Sequence, residues 1–126
     1  MKIYTGNFAN IRKYAGLFPV SIALTAKGYE GACYRKLNPS WSYMDDPEDM
    51  YTRKFNQHLA TLNPQAVYNE LSALSGGKDV VLLCHEKEGD FCHRHLVARW
   101  LEANLHITVK ELGRAGIAES LTLFDL

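Results

Sequence analysis

The sequence predicts an α/β protein: a single small three-layer domain around a mostly parallel sheet, Rossmann-like in build. Three observations carry that expectation. Short runs rich in β-branched and aromatic residues alternate with segments of helical period from one end to the other. One of those runs, Val80-Val81-Leu82-Leu83, is apolar at every position, as a strand covered on both faces must be. Parallel strands also need helical crossovers, and the segments between the runs have the length and period to supply them.

Each element has its own signal. Lys2-Ile3-Tyr4-Thr5 reads as a first strand, ended by Gly6-Asn7, two residue types that tolerate a left-handed backbone. Asn7 then caps a short helix with Ile11, Tyr14 and Ala15 on one face. Pro19 opens a second strand over 20–25. Residues 26–45 keep neither period but carry Tyr29, Tyr34, Trp41 and Tyr43, which reads as a long lid or binding loop. Asp46-Pro47-Glu48-Asp49 starts a helix running to about Leu62, with Asp46 as its cap, Pro47 in the first turn and the acids opposing the positive end of the dipole. Asn63-Pro64-Gln65 repeats that grammar, and Val67, Leu71 and Leu74 make an apolar stripe up to Gly76-Gly77. A strand over 79–84, a helix over 92–104 bearing Leu96, Val97, Trp100 and Leu101, and a last strand over 107–112 complete the domain. Residues 1–112 are thus the α/β domain and 113–126 a C-terminal tail.

Composition narrows the function. Fourteen Lys and Arg balance fourteen Asp and Glu in 126 residues, a formal net charge of +0. That argues against nucleic-acid or membrane binding through bulk charge. The apolar run at 80–83 is far short of the roughly 20 residues that span a bilayer. The three cysteines are an odd number, and no charged leader precedes an apolar core. The expectation is a cytoplasmic protein with reduced thiols and no disulfide framework.

Ligands of parallel sheets bind outside the carboxyl ends of the strands. Those ends are Thr5-Gly6-Asn7, Thr25-Ala26-Lys27 and Cys84-His85-Glu86, so Thr5, Asn7, Lys27 and Cys84 are candidate ligand contacts. The segment Cys84 to His95 gathers two of the three cysteines and three of the five histidines at a strand-to-helix turn. Helix amides at such a turn favour an anion, and Arg94 adds a planar fork for phosphate or carboxylate. Cys92 sits where a helix dipole and nearby cations lower a thiol pKa. Cys84 is also readable as a small buried hydrophobe, and Asp90 and Cys92 as a plain helix start.

Cys84-x-Glu86 after a strand, followed by Asp90-Phe91-Cys92-His93-Arg94, resembles the signature of the domain of unknown function 488 family. Tyr4-Thr5 in the first strand and the loop from Lys27-Gly28-Tyr29 to Tyr34 resemble the rest of its pattern, over roughly residues 1–112. Many members carry Gly-His after the first strand, where this chain has Gly6-Asn7. The resemblance implies a compact α/β domain with Cys84, Glu86, Cys92, His93 and Arg94 near one pocket, and it supplies no reaction.

Three function classes stay open. In the first, the domain binds or acts on a nucleotide-like or other anionic substrate, with Arg94 and the helix start on the anion, Glu86 as general acid or base, Cys92 as nucleophile or polar donor and His93 lining the site. No cofactor is called for. In the second, Cys84, Cys92, His93 or His95, and with them Glu86, hold zinc, although neighbours 92 and 93 on one helix do not easily point at the same ion. In the third, the chain is a non-catalytic module recruited to a partner. Ser120-Leu121-Thr122-Leu123-Phe124 resembles the short peptide that docks bacterial replication and repair proteins onto the DNA sliding clamp. Leu121, Leu123 and Phe124 would fill its hydrophobic pockets, with Ser120 where a Gln is usual. The other reading of this apolar tail is that it packs on its own domain.

Overall fold

The computed structural model describes residues 1–86 and 90–113. Five parallel strands, β1 (Ile3–Asn7), β2 (Phe18–Ser21), β3 (Ala32–Cys33), β4 (Val80–Cys84) and β5 (Lys110–Glu111), form one sheet in the order β3-β2-β4-β1-β5. Every pairing is parallel, so the chain is an α/β domain with a wholly parallel, Rossmann-like sheet. The central strand β4 is buried at all five positions, which is why its sequence does not alternate.

Three α-helices, α1 (Glu48–Ala60), α2 (Pro64–Ser75) and α3 (His93–Leu105), connect the later strands. Tyr51, Phe55 and Leu59 of α1, Val67 and Leu71 of α2, and Leu96, Val97 and Leu101 of α3 share one core with Ile3, Val20, Val80 and Leu82. The opposite face, with Tyr4, Val81 and Leu83, is closed by Tyr14, Leu112, Tyr29 and the 3-10 helix Phe8–Lys13. The third layer is therefore thin, a 3-10 turn and aromatic side chains.

The second helix starts and stops where its caps dictate. The Asn63 side chain accepts from the Ala66 amide, Pro64 fills the first turn, and Gly76 ends the helix at φ 66. The first helix differs from expectation. Asp46 does not cap it: the residue at that position is Pro47, while the Asp46 carboxylate takes the Lys54 ammonium at 2.6 Å. An ion pair with a lysine nearly two turns into the helix takes the carboxylate in place of the cap. Asn7 does cap, accepting from the Asn10 amide, but the segment it starts is 3-10. Strand β2 ends at Ser21 rather than Thr25, and the last strand shrinks to Lys110–Glu111. The aperiodic loop holds the two-residue strand β3 and 3-10 turns at Arg35–Leu37 and Trp41–Tyr43.

Gly6 lies within β1 and does not have a positive φ. Its missing side chain is needed for space, because a Cβ there would meet the Tyr14 hydroxyl at 2.6 Å and its ring at 2.7 Å. The tail residues Leu121, Leu123 and Phe124 lie outside the described residues.

Candidate functional site

The carboxyl ends of β2 and β4 open into a cleft of about 260 Å³. Ala23, Leu24 and Thr25 follow β2 into one wall, and Cys84, His85 and Glu86 leave β4 into the floor. Phe91, Cys92 and His93 bring in the start of α3. The long loop and the start of α1 supply Pro39, Trp41 and Met44, then Asp46, Glu48 and Tyr51, as the outer wall. Four of the residues singled out in the sequence, Cys84, Glu86, Cys92 and His93, thus line one cleft, with the 26–45 loop against it.

Cys84 and Cys92 are joined by a disulfide, their Cα atoms 7.4 Å apart. This corrects the expectation of three reduced thiols. The two residues are eight apart in sequence, but β4 ends and α3 begins at the same edge of the sheet, which brings them together. Only Cys33, exposed at the sheet edge, is free. In this state Cys92 has no thiol with which to attack a substrate.

His93 is buried, and its Nε2 lies 2.7 Å from the Ile22 carbonyl oxygen. A carbonyl only accepts, so the proton is on Nε2 and the lone pair on Nδ1. Nδ1 faces Cys92 Sγ at 3.7 Å. Burial pushes the His93 pKa down to about 4, against the partial support of the Ile22 hydrogen bond, and the Arg94 charge pushes the same way as burial. The ring is neutral at physiological pH. Cys84, Cys92 and His93 are all buried, and their ligand atoms lie within 4.8 Å of one another, so these three residues are placed to hold a metal ion.

Arg94 takes a place that its sequence position does not reveal. It is 0% exposed. Nε and Nη2 grip the Glu111 carboxylate, the shortest contact being 2.7 Å, and Nη1 donates to Cys84 Sγ at 3.1 Å and to the Glu86 carbonyl at 3.0 Å. The guanidinium lies behind the cleft floor rather than among its lining residues. Thr5 joins the same network, donating to Glu111 Oε1 at 2.6 Å. Thr5 and Glu111 are register partners across β1 and β5, which puts both side chains on the α3 face.

The remaining candidates are dispersed. Asn7 is spent on its cap, and its backbone N–H donates to the Tyr14 hydroxyl. Lys27 lines a separate cavity with Phe8, Tyr29 and Glu30, which His85 divides from the main cleft. The His85 ring packs on Phe8 and its Nε2 contacts the Thr25 carbonyl. Sequence reasoning missed Glu111 as the counter-ion, and Glu48, Tyr51 and Phe91 as walls of the cleft. A helix whose second residue is a fully buried arginine requires an acid nearby, but nothing in a single sequence says which one.

Residues 18–105 match the family model described as the active DUF488-N3 subclade. The chain belongs to the DUF488 family. The matched span carries the whole cleft, including Cys84, Glu86, Cys92, His93 and Arg94, whereas Thr5 and Glu111 lie beyond its two ends. No curated protein and no solved structure matches the chain. No described helix is long and apolar enough to cross a membrane.

Proposed function

We propose that this DUF488 domain binds a nucleotide-like molecule in the cleft at the carboxyl edge of the sheet and acts on its planar base. The lining residues carry this reading. Trp41 stands 68% exposed at the mouth and offers a stacking face. Asp46, Glu48 and Glu86 offer acceptors for the N–H groups of a base, and no described lining residue is Lys or Arg. A phosphate would therefore project to solvent. At about 260 Å³ the cleft falls just below the usual range of ligand pockets, roughly 300–1,000 Å³, and suits one base rather than a dinucleotide.

Glu86 is the candidate general acid or base, exposed at the end of β4 with its backbone carbonyl held by Arg94. Cys92 is a nucleophile only in the reduced protein. The description of the matched subclade as active supports chemistry over plain binding. Arg94 positions the floor instead of gripping the anion.

Calorimetry with nucleosides, their monophosphates and inorganic phosphate tests this. Nucleoside and monophosphate should bind within about tenfold of each other, a difference near 1.4 kcal/mol. Binding by phosphate alone, or by monophosphates without their nucleosides, would replace the base-binding reading with an anion site.

A further inference from the structure

The two sulfurs at the cleft floor are set in surroundings that suit thiolates better than a disulfide. Arg94, a fully buried cation, points Nη1 at Cys84 Sγ from 3.1 Å. With a thiolate this contact becomes a hydrogen-bonded ion pair, whereas a neutral disulfide sulfur is a poor acceptor for the same cation. On the other side, His93 Nδ1 turns its lone pair toward Cys92 Sγ at 3.7 Å, and a disulfide sulfur has no proton to give it. The tautomer is fixed from behind by the Ile22 carbonyl. A histidine that binds metal through one nitrogen almost always donates its other N–H to a carbonyl, carboxylate or water, and His93 already has that arrangement.

We infer that the reduced protein holds one borderline-soft divalent ion, zinc foremost, on Cys84 Sγ, Cys92 Sγ and His93 Nδ1, with its fourth position open to the cleft. Tetrahedral zinc with sulfur at about 2.3 Å and nitrogen at about 2.0–2.1 Å sets a sulfur-to-nitrogen edge of about 3.6 Å, close to the 3.7 Å observed. The two sulfurs must separate to about 3.8 Å. The 7.4 Å between their Cα atoms leaves room for this, since ordinary disulfides have about 4.4–6.8 Å. Charge balances as well: two thiolates neutralise the ion, and Glu111 neutralises Arg94. Three protein ligands with one open position is the pattern of catalytic rather than structural zinc. All three ligands line the cleft, so the open position faces whatever occupies it. The assignment rests on the cysteine and histidine geometry and does not depend on the base proposed above.

The disulfide is the oxidised, metal-free form. A cellular dithiol, or a phosphine in the laboratory, gives two electrons to the sulfur–sulfur bond; the dithiol passes its two protons to the sulfurs and becomes a disulfide itself. The phosphine takes oxygen from water to become its oxide, and two thiols result. Metal binding then releases their two protons.

The test is an anaerobic cobalt(II) titration of the full chain after phosphine reduction, with three free thiols per chain confirmed beforehand and no nucleoside present. One equivalent should bind, with sulfur-to-cobalt charge-transfer absorption and the intense visible bands of a four-coordinate ion, and zinc should displace it. Cys84→Ser and Cys92→Ser should each weaken binding by more than about 100-fold, the upper end of what outer-shell substitutions cost. Cys33→Ser should leave it unchanged. Because a His93 variant risks misfolding, X-ray absorption of the wild-type zinc form reads that ligand directly, as two sulfurs and at least one imidazole nitrogen. Absence of cobalt binding by the reduced chain overturns the site, as does binding that survives Cys92→Ser or a zinc spectrum without imidazole. Because none of these arms contains a nucleoside, and the calorimetry above is run on metal-free oxidised protein, either reading can fail alone.

Discussion

Glu111 and Arg94 meet behind the cleft floor, carboxylate Oε2 to guanidinium Nη2 at 2.7 Å, and through this pair the last strand braces the site. The arginine side chain is wholly enclosed and the glutamate 23% exposed. From Arg94 the network runs to Cys84 Sγ and the Glu86 carbonyl, and from Glu111 it runs to Thr5. Four elements, β1, β4, β5 and α3, are tied together at one edge.

Glu111→Ala should be strongly destabilising, because it leaves the Arg94 charge buried without its counter-ion. Breaking such a pair from one side costs about 3–5 kcal/mol. The glutamate's residual exposure points to the lower end, about 3 kcal/mol. Glu111→Gln, which keeps one acceptor, should cost less. Urea unfolding of the three proteins checks the order, and equal stability of Glu111→Ala and wild type would remove the brace.

Gly6→Ala should also destabilise, although Gly6 sits in extended backbone. The added methyl would press on the buried Tyr14 ring. That ring cannot swing away cheaply, since its hydroxyl donates to the Leu112 carbonyl at 2.9 Å and accepts from the Asn7 amide. Overpacking of this kind costs typically 1–3 kcal/mol. Thermal unfolding of Gly6→Ala beside Gly6→Ala/Tyr14→Leu separates the clash from any backbone effect. A larger loss in the double variant than the sum of the single ones would contradict it.

How much of this was legible in the sequence follows the range of each interaction. The caps at Asn7 and Asn63, the stop at Gly76 and the buried run of β4 are local, and they stand where the sequence put them. Asp46 had two uses within reach, cap or partner for Lys54, and local pattern could not rank them. Strand β3 has two residues and exists only because β2 offers it an edge. At the site, density of reactive types pointed to Cys84, Glu86, Cys92 and His93, which do share a cleft. The orientation of Arg94, on α3, depended on Glu111, seventeen residues on in strand β5, and that pairing belongs to the fold alone.

Stability should fall above pH 10. Burial raises the pKa of Tyr34 and Tyr51, and the negative charge of Glu70 adds to the shift at Tyr34. In the unfolded chain both phenols lose their protons near pH 10, while the folded chain keeps them. Their contribution is therefore complete below pH 10 and is lost as pH rises beyond it. Phenolate absorbance and the far-UV helix signal, followed together, should show part of the tyrosine titration arriving only with unfolding. Tyr51→Phe should move base unfolding to higher pH. A midpoint unchanged in that variant would mean that Tyr51 already ionises in the folded state.

Trp41 should matter to ligand and not to fold. It is 68% exposed on a 3-10 turn at the rim of the cleft, so Trp41→Ala removes little buried surface. Its stability should stay within about 0.5 kcal/mol of wild type, as for most surface substitutions. Stacking on one base is worth about 1–3 kcal/mol, so nucleoside affinity should drop by roughly 5- to 150-fold if Trp41 is the stacking face. Fluorescence gives a second reading. The other tryptophan, Trp100, lies on α3 against a groove with α1 and α2, outside the cleft lining. Nucleoside should quench the wild-type signal and leave that of Trp41→Phe unchanged. Quenching that persists without Trp41 would place the base elsewhere, and unaltered affinity in Trp41→Ala would confine recognition to the carboxylates within the cleft.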